Sequence, residues 1–201
     1  MNYPGGIKKE IKNKNIIYKN RGMTLENDLN LTNKYYIEND IAYIYKKPTP
    51  IQVVHADYNK NGNRVIKEAY YSEPSTTDYN GIYKGHYIDY EAKETKNKTN
   101  FPLANIHDHQ ISHIRHIVKE GGICFLIIRF TSLDKTYLLK AIDFLDFIDN
   151  FEKSSIPISY IEENGFLIKN KLLKRVDYIE IVNEVWRLLW KIRRKKERKL
   201  N

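Results

Sequence analysis

Residues 121–130, GGICFLIIRF, constrain the possible folds of this chain more than any other segment. A strand with one face in water alternates apolar and polar residues, whereas this run is almost uniformly apolar. Such a pattern is typical of a central strand that is covered on both faces. The segment TYLLKAI, residues 136–142, is predicted to be its neighbour. Both segments therefore predict an α/β fold, in which a central mixed β-sheet is flanked by helices.

Segments with helical periodicity are predicted to form the helices on either side of that sheet. A chain of 201 residues is long enough for one such domain and short for two, so we assign residues 23–185 to a single domain. Asp177 and Glu180 form a capping pattern for a last helix. Three earlier helices are predicted at residues 24–39, 103–120 and 143–151.

The formal net charge of +9 is concentrated at the two ends of the chain. Residues 1–22 carry a net +5 and residues 186–201 a net +7, while the remainder sums to −3. Basic ends suit a polyanion, because each lysine or arginine that neutralises a phosphate releases a counterion. We therefore predict a flexible basic N-terminal arm, a basic C-terminal tail and a nucleic-acid partner.

The expected compartment is the cytoplasm. No apolar run approaches the roughly 20 residues that span a bilayer, and the lysine-rich start has no signal-peptide core. We expect no membrane partner. The single cysteine, Cys124, lies in the central apolar run and cannot form an internal disulfide, so a buried and inert thiol is predicted.

A β-ribbon is predicted ahead of the central strand. Residues 51–58 and 64–71 have strand-like composition and flank NKNGN, whose Asn-Gly pair favours a hairpin turn. The ribbon combines basic and tyrosine side chains, a mixture that could bind DNA, although a solvated hairpin would look much the same. The predicted DNA contacts are Lys60, Arg64 and Lys67 on the ribbon and Arg21 in the arm.

The segment HYIDYEAK, residues 86–93, alternates so that Asp89, Glu91 and Lys93 share one face of a strand. If residues 84–85 form a two-residue turn, Asp78 lies opposite Glu91. Two carboxylates that close repel one another unless a cation such as Mg²⁺ lies between them. Residues 80–81 are an Asn-Gly pair and could form the turn instead, which would separate Asp78 from Glu91.

Simpler interpretations of these candidate residues stay open. Glu91 and Lys93 could be a charge pair on an exposed strand face. His109, His113 and His116 share a helix face at a spacing that could hold zinc, but there is no nearby cysteine, so polar surface or phosphate contacts are favoured. Glu26 could reach the site from the first helix, although the helix dipole explains an acid there more simply.

Four longer sequence blocks are more specific than the Glu91-x-Lys93 triplet alone. The blocks NRGMTLENDLN, KKPTPIQVV, KEAYYSEPSTTDYNGIYKGHYIDYEAKETKNKT and FPLANIHDHQ resemble the RecU family of Holliday-junction resolvases in order and spacing. The resemblance runs from about Asn20 to about Tyr178 and leaves the basic C-terminal tail outside it.

The resemblance implies a restriction-endonuclease-like fold, a homodimer, and a protruding ribbon that serves as a stalk at the junction centre. It implies catalytic roles for Asp78, Glu91 and Lys93, with Lys93 as a transition-state stabiliser. It also implies that Thr76 and Gln110 join Asp78 and Glu91 as ligands of Mg²⁺, with Mn²⁺ as a substitute.

The function implied is structure-selective, Mg²⁺-dependent cleavage of four-way junction DNA by paired nicks, in recombination and repair. The resemblance also suggests the recombinase RecA and the branch-migration motor RuvAB as partners. Two alternatives stay open at this point: a junction-binding protein without catalysis, and a sequence-specific restriction endonuclease.

Overall fold

The structure is a computed structural model that describes residues 24–72 and 76–186. The predicted arm at residues 1–22, which includes Arg21, and the predicted tail beyond residue 186 lie outside the described residues. The helices are α1 (Leu25–Glu38), α2 (Asp108–Lys119), α3 (Ala141–Asn150) and α4 (Ile158–Asn164), and residues 178–186 are also helical. The strands are β1 (Tyr43–Lys46), β2 (Ile51–Tyr58), β3 (Arg64–Tyr71), β4 (Tyr79–Tyr83), β5 (His86–Thr95), β6 (Asn100–Pro102), β7 (Ile123–Phe130), β8 (Lys135–Lys140), β9 (Ser155–Pro157) and β10 (Phe166–Ile168).

A six-stranded sheet in the order β1-β4-β5-β7-β8-β10 forms the centre of the described chain. β5 and β7 run parallel and the other neighbours run antiparallel, so the sheet is mixed. β7 is the predicted central strand, and all of its residues except Arg129 are buried. The predicted neighbour, β8, pairs with it. The predicted α/β fold around a mixed sheet is confirmed.

Two apolar cores cover the two faces of this sheet. On one face, Tyr90 and Phe125 pack with residues of α1 and of the helical segment 178–186. On the other face, Leu126 and Ile128 pack with residues of α2 and α3. Successive strand residues point to opposite faces, which is why Phe125 and Leu126 enter different cores. The sheet is therefore the middle of three layers.

The first helix, α1, begins where the sequence predicts. The Oγ1 atom of Thr24 accepts a hydrogen bond from the Asn27 N–H at 3.3 Å and satisfies one of the free donors at the helix start. Leu29 and Tyr36 on its buried stripe are fully enclosed in the core. Among the described residues, no helix has both the length and the apolar character needed to cross a membrane.

The second predicted helix begins later than expected. The prediction started it near Leu103, but Leu103–Asn105 form a single 3₁₀ turn and α2 starts at Asp108. Ile106, between them, is extended and buries its side chain in the core beneath α2. The burial of this isoleucine therefore outweighed the helical periodicity of the segment.

The ribbon, residues 51–71, is a separate two-stranded sheet made of β2 and β3, as predicted. All but one of its strand residues are exposed. Within the turn only Gly62 has a positive φ, and the Asn59 N–H donates to the Asn63 carbonyl at 2.8 Å. The ribbon therefore closes through a three-residue loop, whereas a type I′ turn would use two.

Candidate active site

A tight hairpin joins β4 to β5 in the register that the sequence predicts. Tyr83 lies opposite His86, and both residues of the 84–85 turn have positive φ, 48° and 77°, as a type I′ turn requires. β4 itself starts at Tyr79. The same register, continued one position before β4, places Asp78 opposite Glu91.

The alternative turn at residues 80–81 is wrong. Gly81 lies in the middle of β4, paired with Ile88 on one side and with Ile44 of β1 on the other. A Cβ atom at this position would lie 2.1 Å from the Tyr43 carbonyl oxygen, so only glycine fits. This glycine permits the close approach of two strands and makes no turn.

Asp78 and Glu91 are each held by backbone from the other's segment. The Asp78 N–H donates to Glu91 Oε2 at 3.2 Å, and the Ala92 N–H donates to Asp78 Oδ2 at 3.2 Å. Lys93 Nζ lies 2.8 Å from Glu91 Oε1. The structure therefore brings together the three side chains that the sequence analysis put in catalytic roles; the roles themselves stay a prediction.

Glu91 is fully buried, so the interpretation of Glu91 and Lys93 as a pair on an exposed strand face is wrong. Burial, and then the negative charge of Asp78, raise the pKa of Glu91 to about 7, although the Lys93 ammonium acts to lower it. Within residues 24–72 and 76–186, Oε1 of Glu91 has the Lys93 ammonium beside it as an ion-pair partner but makes no well-aligned hydrogen bond. This buried carboxylate oxygen is therefore balanced by charge alone in that part of the chain.

These oxygens fit a divalent cation. A buried acceptor without a donor, beside a second carboxylate, is stabilised by a hard cation such as Mg²⁺, which binds through one or two protein carboxylates and completes its shell with water. Across residues 24–72 and 76–186, no group of three or more His, Cys, Asp and Glu side chains is arranged to hold a metal ion. Neutral oxygens and water would therefore have to complete the shell around Asp78 and Glu91.

The two predicted neutral ligands each have a hydrogen-bond partner other than the carboxylate pair. Thr76 lies two residues before Asp78, and its Oγ1 is 3.4 Å from the Thr77 carbonyl oxygen. Gln110 is buried on α2, where its Oε1 accepts the His107 N–H at 3.0 Å. Neither makes a hydrogen bond to Asp78 or Glu91 in the described part of the chain, so their assignment as ligands stays a prediction.

A family model described as "RecU: Recombination protein U" matches residues 20–184 of this chain. The chain belongs to the RecU family. Relatives of this chain carry the name "Holliday junction resolvase RecU". The one from Geobacillus sp. (strain WCH70) is 53% identical over 92% of this chain and 96% of its own length. The one from Bacillus subtilis (strain 168) is 54% identical over 84% of this chain and 82% of its own length. The one from Staphylococcus aureus (strain JH9) is 47% identical over 92% of this chain and 96% of its own length.

A cavity of about 270 Å³ opens beside Asp78 in this RecU-family chain. Asp78 and Lys93 line it together with Glu26 from the first turn of α1. Glu26 also pairs with Lys46, whose Nζ lies 2.7 Å from its Oε1. Glu26 thus lies in the first helical turn, where the helix dipole favours an acid, and it also reaches the rim of the site.

The candidate histidines do not converge on one point. His113 Nε2 lies 3.3 Å from Asp89 Oδ2, which differs from the expected position on the polar surface. The ring of His109 stacks on that of His107, with centroids 5.4 Å apart. Cys124 is buried as predicted, and burial raises the pKa of its thiol, which keeps the thiol protonated.

The cluster around Asp89 was not anticipated. Its fully buried carboxylate accepts hydrogen bonds from Lys47, Thr77 and the Tyr87 hydroxyl and contacts His113. Strand alternation had already placed Asp89 on the face of Glu91, which was the only signal in the sequence. Tyr87 lies on that same face of β5, but Lys47, Thr77 and His113 come from other segments and could not be predicted from the alternation.

The predicted DNA contacts on the ribbon, Lys60, Arg64 and Lys67, are all exposed, whereas Arg21 lies outside the described residues. Exposure leaves these three side chains free to approach phosphate groups. Their role in DNA binding stays a prediction.

The raised pKa of Glu91 leads to a prediction about stability. Its pKa is higher in the folded protein than the ordinary 4.5, so the folded state binds the proton more tightly. Without metal, the free energy of unfolding should therefore fall as pH rises from about 4.5 to about 7, by roughly 3 kcal/mol. Glu91→Gln should remove this component, and urea unfolding of both proteins in EDTA between pH 4.5 and 8 measures the difference. Parallel curves for the two proteins would contradict the prediction.

Proposed function

We propose that this protein is a Holliday junction resolvase, a structure-selective endonuclease that cuts four-way DNA junctions by Mg²⁺-dependent phosphodiester hydrolysis. The observation that carries the proposal is the Asp78–Glu91 pair, with the Lys93 ammonium 2.8 Å from a buried oxygen of Glu91 that accepts no well-aligned hydrogen bond from the described residues. The names of the family relatives support the junction as substrate.

Asp78 and Glu91 would hold the Mg²⁺ ion, with Mn²⁺ as a substitute, and Thr76 and Gln110 would add neutral oxygens. When bound, the ion supplies positive charge beside the scissile phosphate and makes water a better nucleophile. The direction of α2 supports Gln110 in this set. α2 connects two parallel strands and runs back along β5, so Gln110, one turn before His113, lies further along β5 than Asp89, towards Glu91.

Lys93 stabilises the charge that builds up during the reaction. As water attacks the phosphorus, negative charge grows on the non-bridging oxygens, and a fixed ammonium favours that state over the ground state. The contact with Glu91 holds the Lys93 ammonium next to the carboxylate pair before DNA binds. Little reorganisation is then needed when the phosphate arrives.

The ribbon would supply the selectivity for junctions. It is an exposed two-stranded projection with Lys60, Arg64 and Lys67 on its surface. Such a projection fits the open centre of a four-way junction, where linear duplex has no equivalent space. Basic side chains on it, and Arg21 in the arm, would contact phosphates without reading sequence.

The proposed function is tested by comparing cleavage of a labelled four-way junction with cleavage of linear duplex of the same sequence. We expect cutting of the junction in Mg²⁺ or Mn²⁺, paired nicks in opposed strands, and no cutting in EDTA. Junction binding without cleavage in any metal would identify an architectural protein. Preferential cutting of linear duplex would identify a restriction endonuclease.

Shortening the ribbon between Val54 and Ala69, with an Asn-Gly turn to close it, should preserve the fold because these residues lie outside both cores. The preference for junction over linear duplex should fall by about tenfold or more, or about 1.4 kcal/mol. Competition binding and cleavage of both substrates measure this preference. The comparison variant is Lys60→Ala with Lys67→Ala, which keeps the ribbon and removes two of its charges, so it should weaken junction binding but lower the preference less than shortening does. An unchanged preference in the shortened protein would refute the stalk role.

We propose that the active form is a homodimer, because a twofold dimer presents two identical sites to two opposed strands. The sheet face of β1 and β4 that points away from α1 supports this, since Tyr43 and Ile82 pair there and are 62% and 57% exposed. Sedimentation at micromolar concentration should show a dimer. Full activity from a protein that sediments only as monomer would contradict it.

Family resemblance also supports RecA and RuvAB as partners and the cytoplasm as the place where the protein meets its DNA. Co-sedimentation of the purified protein with each partner on junction DNA tests the first point.

A further inference from the structure

Both connections between the ribbon and the central sheet meet at one buried carboxylate. Lys47 lies on the connection into the ribbon, and Thr77 lies on the connection out of it. Lys47 Nζ donates to Asp89 Oδ2 at 2.8 Å and to Thr77 Oγ1 at 2.9 Å. The Thr77 hydroxyl in turn donates to Asp89 Oδ1. Asp89 therefore joins the two ends of the ribbon to β5.

The carboxylate of Asp89 is fully occupied by protein partners. The Tyr87 hydroxyl donates to Oδ2 at 2.7 Å, and His113 Nε2 lies 3.3 Å from the same atom. Asp89 is fully buried and Thr77 is only 2% exposed. Glu91, by contrast, has a buried oxygen that accepts no well-aligned hydrogen bond from the part of the chain that the structure describes. Asp89 is therefore built to hold neighbouring segments in place, whereas Glu91 is left with capacity for a ligand.

The same cluster holds the peptide of Asp78 from two sides. Thr77 directly precedes Asp78, and the Lys47 N–H donates to the Asp78 carbonyl at 2.8 Å. Asp78 lies one residue before the start of β4, so fewer strand hydrogen bonds fix its position. Asp89, two residues before Glu91, lies on the same face of β5. The cluster thus sets where one carboxylate sits relative to the other.

We infer that Asp89 is a positioning residue, which acts through Lys47 and Thr77 to fix Asp78 beside Glu91 and so ties the geometry of the site to the base of the ribbon. This inference rests on the proposed function for its effect on cleavage. Groups that orient metal ligands typically change metal affinity or activity by about 10- to 100-fold when they are removed. Loss of the cluster should therefore weaken metal binding and slow cleavage, while the exposed DNA contacts are kept.

Asp177 offers a matched control for a buried aspartate of purely structural role. It is 4% exposed and accepts hydrogen bonds from Lys171 at 2.9 Å and from the Tyr36 hydroxyl at 2.7 Å. Tyr36 belongs to the core on the other face of the sheet. Asp177→Asn therefore removes a comparable buried charge without touching the base of the ribbon.

The experiment compares Asp89→Asn, Thr77→Val, Thr77→Ser and Asp177→Asn with the wild-type protein. Mn²⁺ binding is followed by the electron paramagnetic resonance of free Mn²⁺, cleavage by single-turnover reactions on a four-way junction, and junction binding in Ca²⁺. Asp89→Asn and Thr77→Val should bind Mn²⁺ about tenfold more weakly and cut about 10- to 100-fold more slowly. Thr77→Ser keeps the hydroxyl and Asp177→Asn keeps the cluster, so both should stay within about threefold of wild type. Junction affinity should be unchanged in all four.

The inference is overturned if Asp89→Asn and Thr77→Val bind Mn²⁺ as tightly as wild type, or if Asp177→Asn shows the same losses at an equal drop in melting temperature. If Asp89→Asn does not fold, the contrast between Thr77→Val and Thr77→Ser decides. Failure of the wild-type protein to cut any junction would instead refute the proposed function, and the Mn²⁺ measurements would still report on the role of Asp89.

Discussion

Replacing Asp78 or Glu91 with alanine should lower the single-turnover rate of junction cleavage by a factor on the order of 10³ or more. Two carboxylates are the charged ligands available to the proposed Mg²⁺, so loss of either leaves the ion too weakly held to act on the phosphate. Junction affinity should change little, because the proposed DNA contacts lie on the ribbon. Asp78→Asn and Glu91→Gln, which keep the shape of each side chain, should lose cleavage equally.

The measurement combines gel-shift binding in Ca²⁺ with single-turnover cleavage at saturating Mg²⁺. Asp177→Asn controls for the loss of a buried aspartate and should cut at the wild-type rate. Glu91→Gln carries a second readout, since the metal-free protein should gain stability near neutral pH while it loses cleavage. If either alanine variant retained Mg²⁺-dependent cutting, the assignment of that residue as a metal ligand would be wrong.

Lys93→Ala should slow cleavage by a factor on the order of 10² or more, with little change in metal or junction affinity. The ammonium lies beside the carboxylate pair and favours the transition state, in which negative charge on the phosphate is greatest. Lys93→Arg should not restore the full rate, because a guanidinium is wider and, if the lysine also acts as a base, cannot lose its proton.

The matched control for Lys93 is Lys135, which pairs with Glu162 at 3.0 Å on an exposed surface. Water screens an exposed pair of this kind and the pair lies away from the carboxylates, so Lys135→Ala should cut like wild type. Near wild-type cutting by Lys93→Ala at saturating Mg²⁺ would reduce the Lys93–Glu91 contact to a purely structural ion pair.

Local patterns in the sequence were enough to predict the centre of the fold and part of the site. The unbroken apolar run of β7 predicted its covered position, and Thr24 predicted the start of α1. Period-two alternation in β5, together with a turn at residues 84–85, predicted that Asp78 and Glu91 face one another. These features depend on residues within a few positions of one another, so chain geometry alone determines them.

Only the tertiary structure decided what covers each face and which partners a side chain meets. Alternation placed Asp89 beside Glu91, but its partners Lys47 and His113 lie 42 and 24 residues away in sequence. The burial that raises the pKa of Glu91 likewise depends on packing between distant segments, as does the late start of α2, where Ile106 fills a core space. A sequence pattern specifies direction along its own strand or helix, whereas burial and long-range contacts arise only when separate elements pack together.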